Sequence, residues 1–197
     1  FAKREEKAVV DEDTGQTWLE EDRVYATIQG RVRGRGVLFD PIATGTTLAT
    51  LDHKDLRVTT TGGSTTYTDA TGVFNFPTDT APTTVNTTLA GRWATVTSLT
   101  SPDLSFSGPA TPGVPLSVLF NPSGAEELAT AQVNGYDHTT FIHEWVKPRL
   151  AGPLPAIDIP LPTKVNLNDI CNAFYDFFSI TFFKTGGGCI NSAYDTV

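Results

Sequence analysis

The 197-residue chain contains no methionine, two cysteines, three histidines and only a modest share of basic residues. A chain without methionine is expected to be a processed piece, or the ordered part of something longer, rather than a complete primary translation product. With 14 Lys and Arg against 22 Asp and Glu, the net charge is -8 and the pI lies near 4.7. That balance leaves no basic footprint for nucleic acid or for anionic lipid, and both are set aside as partners. Long hydrophobic runs are missing too. The apolar stretch from Phe177 to Phe183 is interrupted by Ser179 and Thr181 and is far too short to span a bilayer. No basic-then-apolar signal peptide stands at the start.

What is present is the composition of a folded chain, 39% hydrophobic and 18% charged, of a length for one large or two small domains. Heavy use of threonine, glycine and proline with few lysines is common in exported β-rich proteins, so an extracellular or cell-surface location is expected. Residues 1–22 are charged on both signs without sustained periodicity and read as an arm. From Val24 onward short β-like runs follow one another at turn-bounded intervals, with alternation in Val24–Ile28 and Val73–Phe76. This spacing predicts a small antiparallel β-sandwich over 23–100. Residues 101–122 form a proline-rich connection ending in the strand candidate "LSVLF".

A long helix is expected next. Ser123 and Glu126 have capping-box spacing, Leu128, Gly135, Thr139, Ile142 and Val146 share one stripe, and Pro148 opposes continuation past Lys147. "AGPLPAIDIPLPTK" reads as an extended linker, and "NLNDICNAFYD" as a short helix or turn. "FSITFFKTGGGCINSA" then reads as two strands joined by a glycine-rich turn. Cys171 and Cys189 either close a short loop as one disulfide or remain two buried thiols. Asn86-Thr87-Thr88 fits a glycosylation acceptor.

The search for chemistry gives no complete constellation. His138 and His143 sit five residues apart and diverge by about 140° on a helix, flanking the buried stripe, so packing or hydrogen-bonding roles are expected rather than a shared metal site. His143-Glu144 begins like the zinc motif H-E-x-x-H, but Lys147 occupies the position of the second histidine. Ser64 beside "GG" and Cys189 beside "GGG" lack a nucleophile elbow and a neighbouring histidine. The carboxylates Asp137, Glu144, Asp176 and Asp195 are expected to be solvated or capping, and spacing alone brings no two of them together. No catalytic residue and no metal ligand is assigned from the residues themselves.

Two stretches resemble known families. "YTDATGVFNFP", between "LRVTTTGG" and "TTLAGRW", resembles the carboxypeptidase regulatory-like, transthyretin-like β-sandwich domains over about residues 24–97. That likeness implies a fold and an accessory role. Over about 121–197, "AQVNGYDHTTFIHEWVK" followed by "NAFYDFFSITFFKTGGGCINSAYDTV" is similar to the N-terminal part of the catalytic unit in fungalysin- and thermolysin-like (gluzincin) zinc metallopeptidases. There the Asn-Ala pair lies on an edge strand that hydrogen-bonds the substrate backbone, which transfers here to Asn172 and Ala173, with Tyr175 matching the aromatic that lines the cleft. In that family the zinc helix with its two histidines and glutamate follows such a segment, and none of those residues occurs in this chain.

The expectation is therefore an α+β chain: a β-sandwich followed, over 123–197, by an incomplete metallopeptidase N-terminal subdomain of long helix plus hairpin. The resemblance implies no cofactor within this chain, and zinc only with a C-terminal part that carries the zinc helix. Its expected partner is that peptidase part or another protein chain, with self-assembly as a further route. The alternative is a non-enzymatic extracellular assembly or adhesive subunit on the same scaffold.

Overall fold

Charge without alternation gives no period-two signal, yet the N-terminal segment pairs with itself. In the computed structural model, which describes residues 3–10, 17–38, 47–152, 155 and 157–194 with side chains from Ala26 onward, β1 (Lys3–Val10) and β2 (Thr17–Tyr25) form an antiparallel hairpin. Backbone pairing from Lys3↔Tyr25 to Val10↔Thr17 organises what the sequence presents as a featureless arm.

The alternation that begins in the next strand does set a layer. In β3 (Ile28–Val37), Ile28 and Val32 are fully buried, while Gln29, Arg31, Arg33 and Arg35 turn to the opposite face. β3 is flanked by parallel β11 (Leu116–Phe120) on one side. Its other side pairs antiparallel, first with β7 (Val73–Phe76) and then with β4 (Leu48–Asp52). A second sheet runs in the order β13 (Ala173–Tyr175), β14 (Ile180–Phe183), β12 (Leu161–Leu167), β9 (Ala94–Ser98), β8 (Thr83–Gly91), β5 (Leu56–Thr60) and β6 (Thr65–Tyr67), with β10 (Ser105–Ala110) also pairing with β8. Strands from both halves of the sequence thus share one sheet, because β12 docks in parallel register on β9, Leu161 against Ala94 through Val165 against Ser98. The pairings β11–β3, β12–β9 and β12–β14 are parallel, each involving a strand beyond the 23–100 stretch for which an antiparallel sandwich is expected.

The one long helix among the described residues, α1 (Glu127–Val146), ends one residue before the expected Lys147, where a 3₁₀ turn over Lys147–Arg149 with Pro148 inside it takes over. Its start corrects the capping-box expectation: the N-cap is Glu126, with no side-chain cap. Ser123 accepts instead from Ala125 N–H, inside a turn closed by Gly124 N–H donating to Asn121 O. That turn, with Asn121 and Gly124 at positive φ, uses up the residues the box needed.

From Thr130 to Tyr136 every residue of α1 is buried, because the helix passes between the two sheets. On one side it crosses β3 at Gly34 and Gly36. A Cβ at Gly36 would lie 2.3 Å from Asn134 Oδ1, so only glycine admits the helix this close. On the other side Gly135 faces Val165 and Thr163 of β12. Ile28, Val32, Leu56, Phe74, Val118, Val133, Tyr136 and Val165 belong to one continuous core, so the molecule is α+β with a sandwich-like β architecture.

The C-terminal third departs most from the sequence reading. "LPTKVNL" is strand rather than linker and turn, and β14 finds its antiparallel partner upstream in β13. The glycine run makes a tight turn, in which Gly186 and Cys189 exchange both backbone hydrogen bonds around Gly187 and Gly188 at positive φ.

Candidate functional site

β13 ends the larger sheet, and its hydrogen bonds decide what it offers. Phe183 N–H donates to Asn172 O at 3.3 Å and Asp176 N–H to Ser179 O at 3.1 Å. Antiparallel alternation then turns the peptide groups of Asn172, Phe174 and Asp176 toward β14, and those of Ala173 and Tyr175 toward the open edge. One of these edge groups is already taken: Ala173 N–H donates to its neighbour's side chain, Asn172 Oδ1, at 2.9 Å. Of the three residues that the family likeness singles out, Ala173 and Tyr175 face an edge unpaired among the described residues, while Asn172 precedes the strand, faces β14 through its own peptide group and caps the first edge donor with its side chain.

The edge is braced at both ends. A disulfide joins Cys171 to Cys189, Cα–Cα 5.3 Å, so the even choice left by the sequence resolves as a bridge. At the far end Asp176 accepts from Phe178 N–H, Ser179 N–H and Ser179 Oγ, which holds its carboxyl below the usual carboxylate range through those backbone donors first. The loop so tied places Phe177 at φ 70°, a conformation unfavourable to a side chain, and displays Phe177 and Phe178 at 85% and 81% exposure. Tyr175 OH donates to Phe177 O.

Beside this edge runs an apolar groove of about 250 Å³ between the second half of α1 and the β12–β14 face. On α1 it takes His138, Thr139, Ile142, His143 and Val146. These five span an arc of about 140°, with the two histidines at its borders. Tyr175, Ile180 and Phe182 close it from the sheet, and Trp93 from the β8–β9 turn.

The histidines do packing and hydrogen-bonding work here. The His143 ring stacks on Trp93 at 3.8 Å, and its Nε2 meets Asp158 Oδ1 at 3.2 Å, while its Nδ1 is buried without a partner. Asp158 also pairs with Lys147, and Trp93 Nε1 donates to Asp55 Oδ2. Burial pushes His138 down to about 4, partly opposed by a hydrogen bond with the Ala193 backbone. Among the described residues no three His, Cys, Asp or Glu side chains converge to hold a metal.

The remaining sequence candidates lie apart from the groove. Ser64 hydrogen-bonds Asp79 in the turn after β5, and Glu144 pairs with Lys54. Asn86 lies inside β8 between β5 and β10, and Asp195 falls outside the described residues. Sequence reasoning overlooked the polar hinge under the C-terminal segment. Glu127 Oε1 accepts from Thr185 N–H at 2.7 Å and from Asn191 Nδ2, Asn191 Nδ2 also reaches Asn166 Oδ1, and Tyr194 OH donates to Glu127 O. Burial pushes the Glu127 carboxyl up, but the Thr185 and Asn191 donors more than offset this and hold it below its usual range. No local pattern announces such a network, since its members are up to 67 residues apart.

No protein-family model matches the chain, and no curated protein or solved structure resembles it at a significant level.

Proposed function

We propose that this chain is the N-terminal, non-catalytic portion of a secreted gluzincin-type zinc metallopeptidase, preceded by a carboxypeptidase regulatory-like sandwich. The observation that carries the reading is the open edge of β13. It is a short strand with Ala173 and Tyr175 presenting backbone groups outward, set beside an apolar groove along a long helix. An extended peptide can add to that edge as a further strand, and peptide-bond hydrolysis then needs a metal and a general base from a completing part. In this reading the groove seats that part. The Cys171–Cys189 bridge supports an oxidising, extracellular setting.

The exposed Phe177 and Phe178 favour a second reading, a non-enzymatic assembly or adhesive subunit. One experiment separates the two. The chain is expressed as it stands and again with whatever its gene encodes beyond Val197, and zinc content and endopeptidase turnover are measured on both. The peptidase reading expects stoichiometric zinc and turnover from the extended form alone. Turnover by the chain as it stands, or a stop codon directly after Val197, overturns it.

A further inference from the structure

β3 carries a second feature, on the face away from the helix. Arg31, Arg33 and Arg35 are alternate residues of one strand, so their side chains leave the same face about 7 Å apart. The registers place Leu119 beside Arg33, and Val73 and Ser117 on either side of Arg31. Leu48 lies on the same face past Arg35. Leu48, Val73 and Leu119 are each exposed. Three guanidinium groups interleaved with exposed aliphatic side chains, on a chain whose net charge is -8, form a surface unlike its surroundings.

The face holds little that neutralises it. Arg31 pairs with Asp52 at 2.7 Å and donates to Thr71 O. Among the described residues Arg35 hydrogen-bonds a backbone carbonyl, Pro122 O at 3.4 Å, and no carboxylate. Arg33 has no carboxylate partner among the described residues, although Asp52 is opposite it in register, and its Nε is buried without a hydrogen-bond acceptor. Among the described residues two carboxylates act on Arg31, Asp52 by direct contact and Asp69 through its charge, and none pairs with Arg33 or Arg35.

We propose that this face docks an extended acidic peptide segment of another protein, with glutamates at alternate positions. Alternate residues of an extended chain repeat at the same spacing of about 7 Å, so two or three carboxylates meet the arginine ladder in register. Their methylene stems lie on Leu119 and Leu48. The negative field of the rest of the molecule works against a long polyanion such as nucleic acid, whose charges extend beyond the ladder, and tolerates a short segment. The surface is independent of the β13 edge and of the peptidase reading.

Fluorescence anisotropy of a labelled peptide alternating Glu and Val tests this, with its Gln-for-Glu analogue and a single-stranded oligonucleotide of equal charge as the other probes. Saturable, salt-sensitive binding of the glutamate peptide is expected, at least tenfold tighter than either alternative. Arg33→Gln weakens it about tenfold, while Arg57→Gln, the same charge change on the other sheet, leaves Kd unchanged. Leu119→Glu, which places a like charge on the same face, also weakens binding and serves if Arg33→Gln does not fold. Absence of saturable binding, equal loss from Arg57→Gln, or equal affinity for the oligonucleotide each overturns the proposal.

Discussion

Asp137 shows how far a single residue's environment can depart from its place in the sequence. It lies on α1 between the buried Tyr136 and His138, and burial pushes its carboxyl up to about 6, although the Lys54 ammonium pulls the other way. A raised carboxyl pKa means that the folded state keeps a proton which the unfolded chain has already lost. Between about pH 4 and pH 6 this residue therefore subtracts stability as pH rises, and above pH 6 the loss is complete. His53 has the opposite sign. It is fully buried against Phe120 and Tyr136, burial lowers it to about 3, and it withdraws stability as pH falls below 6.5. Asp137→Asn removes the first effect only. Urea unfolding at pH 4 and at pH 7 should show variant and wild type alike at pH 4 and the variant about 1–3 kcal/mol more stable at pH 7. A difference that is the same at both pH values assigns the effect to packing rather than to the proton.

At the level of elements, α1 and β3 were each legible, but their crossing was not. β3 buries every second residue from Ile28 to Gly36, although the alternation read at Val24–Ile28 straddles the break between β2 and β3, and Pro148 ends the helix as its missing N–H requires. A helix with Thr130, Gln132 and Asn134 in its first turns reads as half solvated. It is buried because each polar group is met: Asn134 accepts from Val37 N–H and donates to Val37 O, and Gln132 accepts from Leu104 N–H and donates to Pro102 O. Those partners lie up to 97 residues away, beyond the reach of any local pattern. The parallel docking of β12 on β9 escaped for the same reason. In the candidate site, Asn172, Ala173 and Tyr175 came from a family likeness and not from periodicity, because a three-residue strand shows no period. Gly36→Ala tests the crossing. The added Cβ would stand 2.3 Å from Asn134 Oδ1 and 2.9 Å from Leu51, so either the helix shifts or the Asn134–Val37 bonds break. A loss of about 2–3 kcal/mol in chemical unfolding is expected, against less than about 0.5 for Gly62→Ala, whose Cβ meets nothing closer than 3.6 Å.

Across the whole molecule stability is unevenly distributed, and the site occupies the thin end. β8 lies in the middle of the larger sheet, paired with β5, β9 and β10, whereas β13 has three residues and one neighbour. What keeps such a strand formed is its anchoring: the Cys171–Cys189 bridge ahead of it, across 18 residues, and the Asp176 loop behind it. A bridge of that span withdraws roughly 3 kcal/mol of chain freedom from the opened state. Most of this acts locally, because the segment it closes is held to the rest of the fold through β12–β14 pairing and the Glu127–Asn191 hinge. Reducing the disulfide in the folded protein is therefore expected to accelerate amide hydrogen exchange at Phe174 and its neighbours by tenfold or more, with the amides of β8 slowed or quickened by less than about twofold. Retained protection in β13 after reduction shifts the anchoring to the Asp176 loop and defeats the expectation. An equal rise in β8 shows that the bridge supports the entire sheet.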